Sequence, residues 1–332
     1  VRAASSRRGL LAAGLIALLL LALLPLGVEK FYVQFATKVL LLGILAMSLD
    51  LALGYCGLVS LGHAAFFGIA GYALALYAPP YEAASFWVSL ALAVGVAALL
   101  ALLIGAMVLR TSGIFFIMAT LAFAQMLYFL FHDTKIGGGS DGIYIQVRPD
   151  ASLFGWKPFN LENYVHLYYV ALAAALLSFA LLWRVVHSLF GRVIVGIRTN
   201  EHRMRSLGFP TFRYKLACFV LSGALAGLAG YLSAVQFGVV NPDMLGWHFS
   251  GAALVMVILG GMGTLWGPVI GAVAIAVLEL LLQALPTVFG VDLGKHWQFP
   301  LGGFIVGVAL LLPHGLAGAL RRRRHPGERD DG

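Results

Sequence analysis

The chain has 332 residues, of which 61% are hydrophobic and 11% charged, with a formal net charge of +8. A soluble globule of that size would lack the polar surface to cover itself, so that class is excluded. The basic excess collects in the gaps between apolar runs, which marks it as a topology signal rather than a nucleic-acid footprint. Ten apolar stretches follow in chain order, at about 9–28, 36–53, 58–77, 86–109, 113–131, 165–184, 214–236, 248–262, 266–285 and 298–317. A hydrocarbon core about 30 Å thick takes roughly 20 apolar residues per helix. The expected fold is all-α: a polytopic helical membrane protein of about ten spans, forming one membrane domain over residues 1–332.

The first stretch begins with Arg7 and Arg8 and resembles an uncleaved signal, because no small-residue cleavage site follows its long apolar core. It is read as the first helix. The region 54–72 is interrupted by Gly57, Gly62, Gly68 and Gly71 and by the polar Ser60 and His63. Such interruptions survive in lipid where neighbouring helices or a cavity satisfy the backbone, so this segment is placed inside the bundle, broken or re-entrant. Between the fifth and sixth spans lies a loop, 132–164, with Asp133, Lys135 and Asp141 set among glycines 137, 138, 139 and 142. An exposed loop carrying both charges suits docking of a soluble partner; a plain connector is the alternative.

The longest gap on the other side is 185–213. Thr199 and Asn200 are placed to cap a helix starting at Glu201. Glu201 and Arg205 stand at i,i+4 in the favoured order, Met204 and Leu207 form a small apolar face, and Gly208 with Pro210 stops the helix. This is the pattern of a protein-docking element or of an amphipathic segment on anionic lipid. Small residues recur every fourth position at Gly223 and Gly227, at Gly263, Gly267 and Gly271, and at Gly303 and Gly307, as close helix packing in lipid requires. Gly57–Gly71 and Gly263–Gly271 also bear a faint mutual likeness. The tail, 318–332, holds the run Arg321–Arg324.

Sixteen of the 22 lysines and arginines fall on one side if the N-terminus is cytoplasmic. Basic flanks stay cytoplasmic, so N-in/C-in is expected, with the loop 185–213 and the tail inside and the loop 132–164 outside.

Chemistry is sparse. There is no phosphate-binding loop, and no metalloprotease, nucleophile-elbow or dinucleotide motif. The nine histidines are scattered, and Cys56 and Cys218 lack metal or disulfide spacing. No catalytic or metal residues are expected. The ionisable residues inside the spans are few: Asp50, His63 and Glu279, with Arg184 at an end. Glu279 has Gln283 one turn on, and hydrogen bonding to a neighbour is the expectation for both it and Asp50.

Glu201, a gap of six, then Gly208 before a span resembles the cytoplasmic loop of ABC-importer permeases, although His202, Arg203 and Met204 stand where that family commonly has small residues. The motifs LGYCGLVSLGHAAFFGIAGYALA at 53–75, LRTSGIFFIMATLAFAQ at 109–125, IGGGSDGI at 136–143, KLACFVLSGALAGLAGYL at 215–232, GVVNPDMLGWHFSG at 238–251 and VILGGMGTLWGPVIGA at 257–272 extend the likeness. Together they resemble the longer of the two permeases of branched-chain amino-acid ABC importers, from about residue 40 to 318.

The resemblance implies a bacterial inner-membrane transport subunit, not an enzyme. It implies a heterodimer with a paralogous permease, two cytoplasmic ATPases carrying ATP and magnesium, and a periplasmic binding protein. It also implies coupling to an ATPase through Glu201, Arg203, Met204, Arg205, Leu207 and Gly208, and a solute route near Gly57, Ser60, Gly62 and His63. Expected cargo is a branched-chain amino acid, or urea, a short amide or an aromatic acid. The alternative is an ion-coupled secondary transporter, whose intramembrane ionisable pairs this sequence lacks.

Overall fold

The computed structural model describes residues 21–25, 27–79, 81–152, 159–284, 287–288, 291–292, 297–311, 315–316 and 318. Its membrane helices are α1 (Lys30–Asp50), continued by a π turn at Leu51–Tyr55, α2 (His63–Tyr77), α3 (Phe86–Val108), α4 (Ile114–Asp133) and α5 (Tyr164–Val186). Two short helices follow, α6 (Leu189–Thr199) and α7 (Glu201–Ser206). Then come α8 (Thr211–Phe237), α9 (Trp247–Gly260), α10 (Gly267–Gln283) and α11 (Gln298–Leu311). Five of these, counting α1 with its π turn, are long and apolar enough to cross a membrane, and four more apolar helices are shorter. Most of the expected first span and of the tail 318–332 lies outside the described residues. Residues 21–25 are helical, and Tyr168 and Tyr169 on α5 donate to the Leu21 and Ala22 carbonyls at 2.6 and 3.0 Å.

The most apolar windows of α1 and α8 are each 78% buried, against 22% for α4, which places the first two at the centre of the bundle. Glycine makes that centre possible. A side chain on Gly223 or Gly227 of α8 would run into Ala101 or Ala97 of α3, so the two backbones approach as closely as a small-residue seam permits. Gly303 and Gly307 have the same spacing but meet no neighbour among the described residues. Their spacing alone therefore did not tell a seam from a free face.

The ends of the helices are distinct. Lys30, Gln34, Arg148, Glu162, Tyr164 and Gln236 gather at one end. Gly54, Gly57, Arg198 and Gly263 gather at the other. At the first end a two-stranded ribbon pairs β1 (Ile143–Tyr144) antiparallel with β2 (Val239–Val240). A second ribbon pairs β3 (Thr287–Val288) with β4 (Val291–Asp292).

The third span departs from expectation. The helix starts at His63 rather than 58, after a non-helical stretch at 57–62. It is broken but not re-entrant: Gly57 lies beside Arg198 at one end, whereas Gly71 lies against Val240 at the other. Fifteen helical residues rise about 22 Å, and the non-helical stretch supplies the rest of the crossing. A tight turn at 261–266 joins α9 to α10, with Gly261 and Gly263 at φ +112° and +74°, and Gly260 and Gly271 bring the two helices together side by side. Of the two glycine segments whose likeness was faint in sequence, one holds the break in a span and the other this turn.

Candidate functional site

The loop 185–213 folds as two capped helices. Ser188 accepts from the Gly191 amide at the start of α6, and Asn200 accepts from the Arg203 amide at 2.9 Å at the start of α7. Thr199 instead bonds back to the Val195 carbonyl. At the other end of α7, Phe209 and Gly208 donate to the Met204 and Arg205 carbonyls, with Gly208 at φ +86°, a Schellman stop that requires glycine.

Glu201 is the hub of this loop. Its carboxylate takes Arg205 Nη2 at 2.8 Å, Thr211 Oγ1 at 3.0 Å and Lys215 Nζ at 3.0 Å. Partial burial pushes the Glu201 carboxyl up, but the Lys215 ammonium and the Thr211 and Arg205 hydrogen bonds outweigh it and hold it below the usual carboxylate range. The Arg205 pairing was readable as an i,i+4 spacing. The Lys215 tie, fourteen residues away on α8, was not. It fastens α7 to the base of a central helix.

The apolar face divides in two. Met204 turns inward, its sulfur packing on Gly196 of α6. Leu207 is 65% exposed, with the exposed Phe209 next to it and the cations Arg203 and Arg205 alongside. Leu207, not Met204, is the outward knob.

The suggested route residues separate. Gly57 is exposed beside Arg198, whereas Ser60, Gly62 and His63 are enclosed. Ser222 on α8 donates to the Ser48 carbonyl on α1, so its oxygen is left to accept from His63 Nε2 at 2.6 Å. His63 thereby ties α2 to α8 and α1. The amides at the start of α2 are satisfied by hydroxyls: Leu61 by Thr120 of α4, Gly62 by Ser60, and Ala64 by Ser250 of α9.

At the opposite end the glycine-rich turn is packed rather than slack. Gly142 abuts the Val240 and Asn241 backbone, and Ile145 donates to the Gly238 carbonyl at 2.8 Å. Asp133 pairs with His132 at 2.7 Å, Ser140 donates to Asp141 at 3.3 Å, and Lys135 is exposed. Arg148 donates to the Val235 and Gln236 carbonyls at 3.1 and 3.2 Å and to the Glu162 carbonyl. A cation on the last carbonyls of α8 also complements the helix dipole. The cavity beside it is about 70 Å³, below the 300 Å³ or so at which ligand pockets begin. A larger groove between α3, α5 and α8, about 480 Å³, is lined by apolar side chains and Trp87.

Glu279 accepts from Gln283 at 3.3 Å and faces Lys38 at 3.6 Å, the neighbour contact expected of it. Asp50 accepts from the Gly263 amide at 2.8 Å. Both cysteines are buried and free, and among the described residues no group of three or more His, Cys, Asp or Glu is placed to hold a metal.

Residues 31–312 match the family model described as branched-chain amino acid transport system, permease component. The chain belongs to that family. The permease is 32% identical over 324 residues, 91% of this chain and 74% of the relative, to the high-affinity branched-chain amino acid transport system permease protein LivM of Salmonella typhimurium, with the same figures for LivM of Escherichia coli. It is 25% identical over 191 residues, 55% of this chain and 54% of the relative, to the autoinducer 2 import system permease protein LsrC of Photorhabdus luminescens. No solved structure matches it. The permease is thus a multi-pass membrane transport subunit of an ABC importer and not a catalytic enzyme, which decides against the ion-coupled alternative.

Proposed function

We propose that this permease moves branched-chain amino acids, or small solutes of related polarity such as urea, short amides or aromatic acids, into a bacterial cytoplasm by alternating access. It works as one half of a heterodimer with a paralogous permease in the inner membrane, N-in/C-in. Two separate ATPases, which hold ATP and magnesium, drive it, and a periplasmic binding protein delivers solute to the face carrying Asp133, Lys135 and Asp141. The substrate reading leans on the names of the LivM relatives. Solute passes near the interrupted segment at Gly57, Ser60, Gly62 and His63, where glycine lets backbone approach a ligand closely.

The observation that carries this reading is α7. It is capped at both ends, tied through Glu201 to Lys215 on α8, and it presents Leu207 to solvent. A short rigid helix so anchored transmits a push, and an apolar knob ringed by cations fits a cleft on an ATPase. Arg203 and Arg205 orient it, and Gly208 lets the chain turn back into α8. Replacing Leu207 by Asp should release the ATPases or uncouple hydrolysis from uptake while the membrane domain still folds. A purified complex with that change, retaining its ATPases and full ATP-driven uptake, would refute the reading.

A further inference from the structure

We propose that Arg198 is a positioning residue that carries the movement of α6 into the break at 57–62 and the helix-joining turn at 261–266 at once. The inference rests on the importer reading above and adds to it where the push goes after α7.

Arg198 lies in the last turn of α6, and α7 packs on α6 through Met204 and Gly196. The Arg198 guanidinium donates to the Gly54 carbonyl in the π turn that ends the first helix. Its aliphatic stem lies against Gly57, where an added Cβ would stand 3.0 Å from Cγ. One turn before Gly54, the fully buried Asp50 holds the Gly263 amide, and Gly263 belongs to the turn 261–266. That turn touches the π turn that leads into the break at 57–62. A Cβ on Gly263 would lie 3.2 Å from the Gly54 oxygen and 3.4 Å from Arg198 Nη1, and a Cβ on Gly54 would fall on the Asp50 carboxylate and the Gly263 amide.

Breaks and turns of this kind absorb φ/ψ change without costing helix hydrogen bonds, which is why hinges sit at element ends. Here glycines 57, 261 and 263 all have positive φ, so the backbone has freedom that other residues lack. A displacement of α6 therefore reaches the segment 57–62 through Arg198 and Gly54, and the segment 261–266 through the adjoining Asp50–Gly263 bond. The break and the turn move as one inner gate. The Arg198 guanidinium is taken up by the Gly54 carbonyl, so its effect is read on coupling.

The test uses the assembled transporter in lipid vesicles, with Arg198→Met, which keeps the packing on Gly57 and removes the donors. Solute uptake per ATP hydrolysed should fall about tenfold, a size ordinary for coupling between sites, and Arg198→Lys, which can still donate to Gly54, should restore most of it. Labels on Leu189→Cys and Met262→Cys, both exposed positions, report the geometry; the native cysteines are buried. Their separation should stay constant through the nucleotide cycle in the parent protein and vary by several ångströms in Arg198→Met. A merely structural role would lower the yield of complex but leave uptake per ATP unchanged, and that result overturns the proposal. If Arg198→Met gives too little complex, Asp50→Ala, which removes the acceptor of the Gly263 amide, takes its place with the same readouts, and an unchanged ratio again overturns it. Uncoupling by Leu207→Asp with normal coupling in Arg198→Met would defeat this inference alone. Normal coupling in both would defeat the reading of α7 as the coupling element beneath it.

Discussion

Glu201→Ala should detach α7 from the bundle. The carboxylate holds three donors at 2.8–3.0 Å. The Arg205 pair is surface-exposed, worth about 0.5 kcal/mol. Lys215 is different, because its side chain is only 10% exposed and would be left without this partner. A stranded, largely buried charge costs about 3 kcal/mol or more, reduced here because Glu201 itself is 29% exposed. A net loss of about 2 kcal/mol is expected, or roughly a thirtyfold shift toward undocked α7. Amide hydrogen exchange reads this directly: the amides of residues 204–209, bonded within the turn and its stop, should lose protection by about that factor, while the α8 amides keep theirs. A change under threefold would mean that the cap and the Schellman stop alone hold α7, and the argument from Lys215 would be wrong.

The same tie predicts a pH dependence. Because the folded-state pKa of Glu201 is lowered, its contribution is fully present above the usual glutamate range and is lost as pH falls through the lowered value; α7 protection should drop on acidification in the parent protein and stay flat in Glu201→Gln. Gly227→Val should drive a side chain into Ala97 and cost about 1–3 kcal/mol by overpacking, whereas Gly303→Ala and Gly307→Ala should leave the melting temperature of the isolated subunit within a degree or two; equal effects at all three would show that the seam is not where the backbone places it. Single-cysteine labelling should reach positions 141 and 162 from outside and 201 and 203 from inside, and the reverse pattern would overturn N-in/C-in. Charge reversal at Asp133 and Asp141 should weaken uptake and leave basal ATP hydrolysis intact; unchanged uptake would return that loop to a connector. His63→Gln, if it assembles and transports normally at every pH, would leave His63 as an interhelical tie only.

Local signals were readable in the sequence, and distant ones were not. Asn200, Glu201, Arg205, Gly208 and Pro210 lie within eleven residues, so cap, pair and stop could be written down from spacing alone. Lys215 on Glu201, Arg148 on the end of α8 and Arg198 on Gly54 are separated by 14, 87 and 144 residues. No periodicity connects such pairs, because only the packing of whole helices brings them together. Met204 and Leu207 shared one apolar face on paper, and it took the position of Gly196 to turn one inward and leave the other out. The glycines show both sides: the fourfold spacing was correct at Gly223 and Gly227 and uninformative at Gly303 and Gly307, since spacing says that backbone could approach but not whether a partner is there.

The hydroxyls at the head of α2 bear on how the chain is made. Leu61 and Ala64 offer their amides to Thr120 and Ser250, which lie 59 and 186 residues further along. A ribosome adding 5–20 residues each second therefore takes about ten seconds or more to supply the second of them. Leu61 waits for the first part of that interval and Ala64 for all of it, and an amide in lipid without an acceptor costs several kcal/mol. The head of α2 is therefore expected to reach its final seat only after α9 arrives, well after the segment itself has been made.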